Sequence, residues 1–86
     1  MKWCSFDKQP PENETFLIKQ SNHAIYFGRV VEGNILTNHV FQNLAYIAKE
    51  DVARSGKPVA KWLESMQPQG PKKETFLWAA VDWQME

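Results

Sequence analysis

Cys4, His23 and His39 carry the most versatile chemistry in the chain, which has one cysteine and two histidines. A metal centre or a Cys–His nucleophile would draw on these three. No CxxC or HxxxH spacing joins them, so only the tertiary fold could bring them together. Cys4 has no visible activator near it in the sequence, and a nucleophilic thiol needs one. Asp7, Glu12 and Glu14 gather near an expected loop, where carboxylates read as solvating charge rather than as an acid–base pair. Neither GxGxxG nor GxxxxGK[ST] occurs, so no glycine-rich turn is set up to cradle a phosphate. The residue types point away from catalysis, and no cofactor or metal is expected.

The aromatic residues are more informative. Phe, Trp and Tyr make up 13% of the sequence, and four of them are tryptophans. Most must serve the core, since large rings bury the most area per residue. A domain of 86 residues is not expected to turn all four tryptophans inward, and exposed tryptophan is typical of binding hot spots. Beside a lysine, such a ring could also stack a base. Residues 49–73 hold six basic side chains (Lys49, Arg54, Lys57, Lys61, Lys72 and Lys73) against Glu50, Asp51 and Glu64. The candidate binding residues are therefore Trp3, Lys61, Trp62, Lys72, Lys73 and Trp78.

Ten basic and ten acidic residues cancel overall, which removes a general electrostatic case for nucleic acid or anionic membrane. The apolar fraction of 43% suffices for one compact core in a single domain, residues 1–86. No apolar run is long enough for a bilayer, and "MKWCSFDKQPPE" turns polar too early for a signal peptide. With a lone cysteine, this predicts a reducing, cytoplasmic setting and no membrane partner.

These residues need elements to position them. "ETFLIKQ" (14–20) and "AIYFGRVVEG" (24–33) read as a hairpin of two strands around the turn "SNH", with "EGN" (32–34) closing the second strand. Gly28 inside that strand signals a bulge or a close backbone approach. Residues 38–56 show a helical row through Val40, Leu44 and Ile47, with Thr37 or Asn38 as cap and Gly56 as stop. The competing reading is a strand through "NLAYIAK" and a helical turn at "EDVARSG". "KPVAKWLESM" (57–66) reads as a strand, 67–73 as a loop, and 74–83 as a central strand. The expected fold is α+β, a small antiparallel sheet with one helix. Its expected core is Phe16, Ile18, Ile25, Phe27, Leu44, Ile47, Val59, Leu63, Phe76 and Val81.

An echo crosses the chain. "PENETFL" (11–17) and "PKKETFL" (71–77) lie sixty positions apart, each after a tryptophan and a proline-rich stretch. Coincidence of strand-entry residues would explain it, and so would a partial duplication giving two equivalent strands in one sheet. If the two strands play the same structural part, Phe16 and Phe76 should both be buried and Thr15 and Thr75 should face the other side. The loops 8–13 and 67–73 are expected to leave corresponding ends of the sheet. A recognition surface is expected from Trp3, Trp62 and the 67–73 loop.

The tryptophan, acidic residue, proline and paired strands of "MKWCSFDKQPPENETFLIKQSNHAIYFGRVVEGN", with "PVAKWLESMQPQGP" (58–71), resemble a family of short phage and prophage proteins of unknown function. The positions that carry the likeness are Trp3, Asp7, Pro11, Trp62 and Pro68. Lys61 stands where that family usually has histidine and Glu64 where it has proline, and "KKETFLWAAVDWQME" extends past its usual end. The resemblance implies a mobile-element origin and a small β-rich domain. Together these features predict a non-catalytic interaction module that masks a surface on a host or phage protein. The alternative is a small nucleotide- or nucleic-acid-binding protein using the 49–73 segment, in a counter-defence role.

Overall fold

The structure is a computed structural model and describes residues 2–21, 23–39 and 47–81. In chain order the elements are β1 (Cys4–Ser5), β2 (Thr15–Gln20), β3 (His23–Val31), β4 (Asn34–His39), α1 (Lys49–Ser55), β5 (Lys57–Pro58), α2 (Val59–Met66) and β6 (Phe76–Ala80). All six strands form one antiparallel sheet in the order β1-β6-β2-β3-β4-β5. The expected α+β fold with one helix is thereby corrected: the described residues form mainly a curled six-stranded sheet, with helix among them as two short segments. Residues beside the two edge strands meet. Phe6, just after β1, and Trp62, just after β5, have ring centroids 6.1 Å apart.

The predicted hairpin of β2 and β3 is present, and β4 adds a second one that was not expected. Ser21, with φ of 50°, begins the turn between β2 and β3, and Gln20 pairs with His23. Glu32 and Gly33 both take positive φ between the paired residues Val31 and Asn34. Positive φ at both central residues marks the turn whose twist suits a two-residue hairpin. This tight reversal sends residues 34–39 back along β3, so Asn38 and His39 lie in a strand where helix was expected. Helix α1 begins at Lys49, and Gly56 ends it as expected, its N–H donating to Val52 O at 2.7 Å. Leu44 and the rest of 40–46 lie outside the described residues.

The strand expected over 57–66 is also corrected. Only Lys57 and Pro58 pair with β4, and the chain then turns into α2. Proline is tolerated at a helix start, and Val59, Trp62, Leu63 and Met66 fall at helical spacing on one stripe. That stripe packs on the sheet with Phe6 and Cys4.

Register settles which residues enter the core. Phe16 pairs with Gly28 and Ile18 with Tyr26, so Tyr26, Gly28 and Val30 share the core face. Ile25 and Phe27 therefore point to the opposite face and are half-buried, against expectation. Gly28 supplies close approach rather than a bulge: a Cβ there would stand 2.8 Å from Ile18 Cδ1 and 2.9 Å from Phe16 Cε1. The irregularity in this pair lies instead between Lys19 and Gln20. Phe16, Ile18, Ile47 and Phe76 are buried as expected, whereas Val59, Leu63 and Val81 are half-buried. Val52 is also buried, and α1 packs against β3 and β4.

The echo strands are neighbours. Ile18 pairs with Trp78, Phe16 with Ala80 and Gln20 with Phe76. A shift of sixty positions carries Phe16 to Phe76 and Ile18 to Trp78, so a local two-fold axis through the Ile18–Trp78 pair relates the echoed residues. Phe16 and Phe76 are both buried, and Thr15 and Thr75 are not. The expectation that the two loops leave corresponding ends is overturned. Antiparallel neighbours start at opposite ends, so loops 8–13 and 67–73 enter the sheet from opposite ends. Among the described residues, no helix is long and apolar enough to cross a membrane.

Candidate functional site

The candidate tryptophans separate into structural and peripheral ones. Trp62 is 4% exposed and its ring meets Phe76 edge-on at 5.4 Å between centroids. Trp78 is 6% exposed, and its indole N–H donates to Ser5 O at 3.1 Å and Lys8 O at 2.8 Å. Neither ring offers a face to a ligand, so both are withdrawn as stacking platforms. Their place in the core follows from the sheet: α2 turns Trp62 onto the core face, and the Ile18 pairing turns Trp78 onto the same face.

Trp3 is half-buried, with Lys19 Nζ 5.3 Å from its ring centroid. Lys19 alternates with the buried Ile18 and so points away from the core face. Trp3 and Trp62 thus belong to opposite sides of the sheet and do not build one surface. Lys61 is exposed on α2 beside the buried Trp62.

What remains together is the 67–73 loop. Pro68, Gln69, Gly70, Pro71, Lys72 and Lys73 are all exposed. Gly70, at φ of 128°, takes a conformation that glycine alone adopts without strain. The loop's ends are held by a side chain that sequence reasoning missed. Gln67 Nε2 donates to Glu74 O at 3.1 Å, and Gln67 Oε1 accepts the Glu74 N–H at 2.9 Å. Ser21, on the β2–β3 turn, extends the clasp. Its N–H donates to Thr75 O at 2.6 Å, its hydroxyl donates to the Glu74 carboxylate, and its oxygen accepts the Thr75 N–H at 3.2 Å. A primary amide can mimic a backbone pair because it carries one acceptor and a donor group side by side. A Glu at the strand entry was legible, but the segment before Gln67 reads in the sequence as a strand rather than a helix, and the meeting of Gln67 with Glu74 was not legible.

A comparable clamp holds the echoed loop. The Asn13 N–H donates to Val30 O at 2.8 Å, and Arg29 Nη2 donates to Asn13 O at 2.6 Å. Arg29, 9% exposed, also donates through Nη1 to Ile47 O at 2.9 Å. It therefore ties loop 8–13 and the lead-in to α1 to the same strand.

Cys4 packs against the core from β1 as a free, half-buried thiol. His39 is exposed at the end of β4, its ring 4.7 Å from that of Tyr26. Among the described residues, no three His, Cys, Asp or Glu side chains gather closely enough to hold a metal ion. The arrangement supplies an exposed, lysine-bearing loop held at its base by Gln67, Glu74 and Ser21. Compared with known proteins, the chain matches no family model, no curated protein and no solved structure.

Proposed function

We propose that the protein is a non-catalytic interaction module of phage or prophage origin, which masks a surface on a host or phage protein through the 67–73 loop. The observation that carries this reading is the Gln67–Glu74 clasp, which holds an otherwise fully exposed loop at its base. A loop ordered before contact loses less conformational freedom on binding. Lys72 and Lys73, exposed on the arm that returns to the clasp, fit an acidic partner surface, and Lys61 on α2 is a further exposed contact. The resemblance to short phage proteins supports the mobile-element setting, and the free thiol of Cys4 suits a reducing cytoplasm. Burial of Trp62 and Trp78 disfavours the nucleotide-binding alternative, because base stacking needs an accessible ring.

The test is affinity capture from host lysate by wild type and by a Lys72→Ala, Lys73→Ala variant, with mass spectrometry of retained proteins. The expected result is one partner at fixed stoichiometry with wild type and its loss with the folded variant. Equal retention by both would place the working surface elsewhere.

A further inference from the structure

The chain has ten lysines and arginines, and all ten lie among the described residues. A protease with an acidic primary pocket cuts after such residues. It does so only where the backbone can leave the fold and enter a cleft as an extended strand. Most positions are closed to it. Lys19 and Arg29 lie in strands paired on both sides. Lys49, Arg54 and Lys61 lie in helices. Lys57 lies in β5 and precedes Pro58, whose ring restricts the residue before it. Lys8 is exposed, but the carbonyl of its own peptide bond accepts the Trp78 indole N–H, and Pro10 just beyond is fully buried. Lys2 precedes β1, and a cut there sheds only Met1 and Lys2. Lys72 and Lys73 remain, both exposed and outside every helix and strand.

Their two bonds differ. The Lys73–Glu74 bond includes the Glu74 N–H, which Gln67 Oε1 holds at 2.9 Å. The Lys72–Lys73 bond stands outside that clasp. Gly70, at φ of 128°, can straighten without a Cβ to clash, so the loop can open once Gln67 lets go. Beyond the loop the chain is well held. Phe76, Trp78 and Ala79 are buried, and β6 pairs with β2 on one side and β1 on the other.

We infer that the Lys72–Lys73 bond is a processing site for a protease of basic specificity, gated by the Gln67–Glu74 clasp, and that the cut chain stays folded as a complex of residues 1–72 and 73–86. Hydrolysis breaks the peptide C–N bond and consumes one water. Its oxygen ends in the new Lys72 carboxylate, and Lys73 takes the new ammonium. The cut severs the loop assigned to partner contact while β6 keeps its place in the sheet. That cleavage ends partner capture rests on the proposed function, whereas the cleavage itself does not. A cut that leaves capture intact counts against that function and leaves the processing site standing.

The experiment is limited digestion of the full native chain, with trypsin as the probe and intact-mass spectrometry of the first products. The first internal cut should follow Lys72. At about 100 μM, where mass action favours the complex, the two pieces should elute together, and native mass spectrometry should find the parent mass plus one water. Cutting of a transiently opened loop tracks the population of the open form, so Gln67→Ala should speed it about fivefold and add an early cut after Lys73. A Lys72→Gln, Lys73→Gln variant, altered only at exposed positions, should resist until the whole fold opens. A first internal cut elsewhere, no cut short of unfolding, pieces that part as they form, or a rate indifferent to Gln67→Ala overturns the inference.

Discussion

Gly28 shows how one residue can decide a packing arrangement. Its missing Cβ leaves the slot in which the Phe16 ring and the Ile18 tip lie over β3. In a strand interior, alanine is ordinarily favoured over glycine by about 0.5–1 kcal/mol. Here Phe16 and Ile18 are fully buried and have little room to move, so the overpacking cost of about 1–3 kcal/mol should win. Gly28→Ala is expected to lower the midpoint of thermal unfolding by several degrees, at about 4–8 °C per kcal/mol for a chain of this size. A melt matching wild type would mean that the two side chains have space to yield. The tryptophans make a second contrast. Trp62→Ala should cost about 3–5 kcal/mol because it empties the contact among Phe6, Phe76 and α2. Trp3→Ala should cost about 1 kcal/mol or less, since it loses a peripheral ring contact with Lys19. Denaturant melts of the two variants should separate widely, and similar losses would contradict the assigned burial.

At the scale of elements, the β3–β4 turn and the 67–73 loop are each set by a local choice. Glu32 occupies a positive-φ position that asparagine tolerates better. Glu32→Asn should therefore raise the urea midpoint, with a gain of about 1 kcal/mol or less; a lower midpoint would argue against the turn geometry. Gln67 contributes two hydrogen bonds to a half-buried base. Gln67→Ala should cost about 1 kcal/mol while strongly accelerating amide exchange at Glu74 and along the loop. Unchanged exchange there would show that Ser21 holds the loop unaided. The β2–β3 hairpin was legible because branched and aromatic residues cluster between turn residues in 14–33, whereas β4 was not, because a helical row through 38–56 competed with it. The 57–66 segment misled because Val59, Lys61 and Leu63 against Ala60, Trp62 and Glu64 can be divided between the two faces of a strand. The i, i+3, i+4, i+7 stripe of Val59, Trp62, Leu63 and Met66 was present in the same letters, and burial of Trp62 selected it.

For the whole molecule, the central fact is that the first and last described strands pair. Cys4 lies opposite Trp78 and Ser5 opposite Leu77, so nearly the whole chain must close before β1 and β6 meet. Non-local pairing of this kind folds slowly, and refolding in the range of about milliseconds to seconds is expected by stopped-flow fluorescence. Trp62 and Trp78 should report the same phase as far-ultraviolet circular dichroism, because one cluster joins residues from both ends of the chain. Resolved, separate phases would indicate that the β2–β3–β4 meander folds apart from the rest.

Local letters determined the β2–β3 hairpin, the stop at Gly56, the burial of Phe16 and Phe76 and the exposed character of 67–73. Each of these follows from interactions within a few residues: side-chain alternation, positive-φ turns and helix termination. The tertiary structure alone decided the rest. Strand parity in β3 depends on which residue faces Phe16, and that register exchanged Ile25 and Phe27 for Tyr26 and Val30 in the core. The antiparallel pairing of β2 with β6 turned an apparent equivalence of two loops into an opposition of ends. Arg29, Gln67 and Ser21 gained their roles from partners 7 to 54 positions away. No spacing rule encodes such contacts, because their geometry exists only once the sheet has curled and closed on α2.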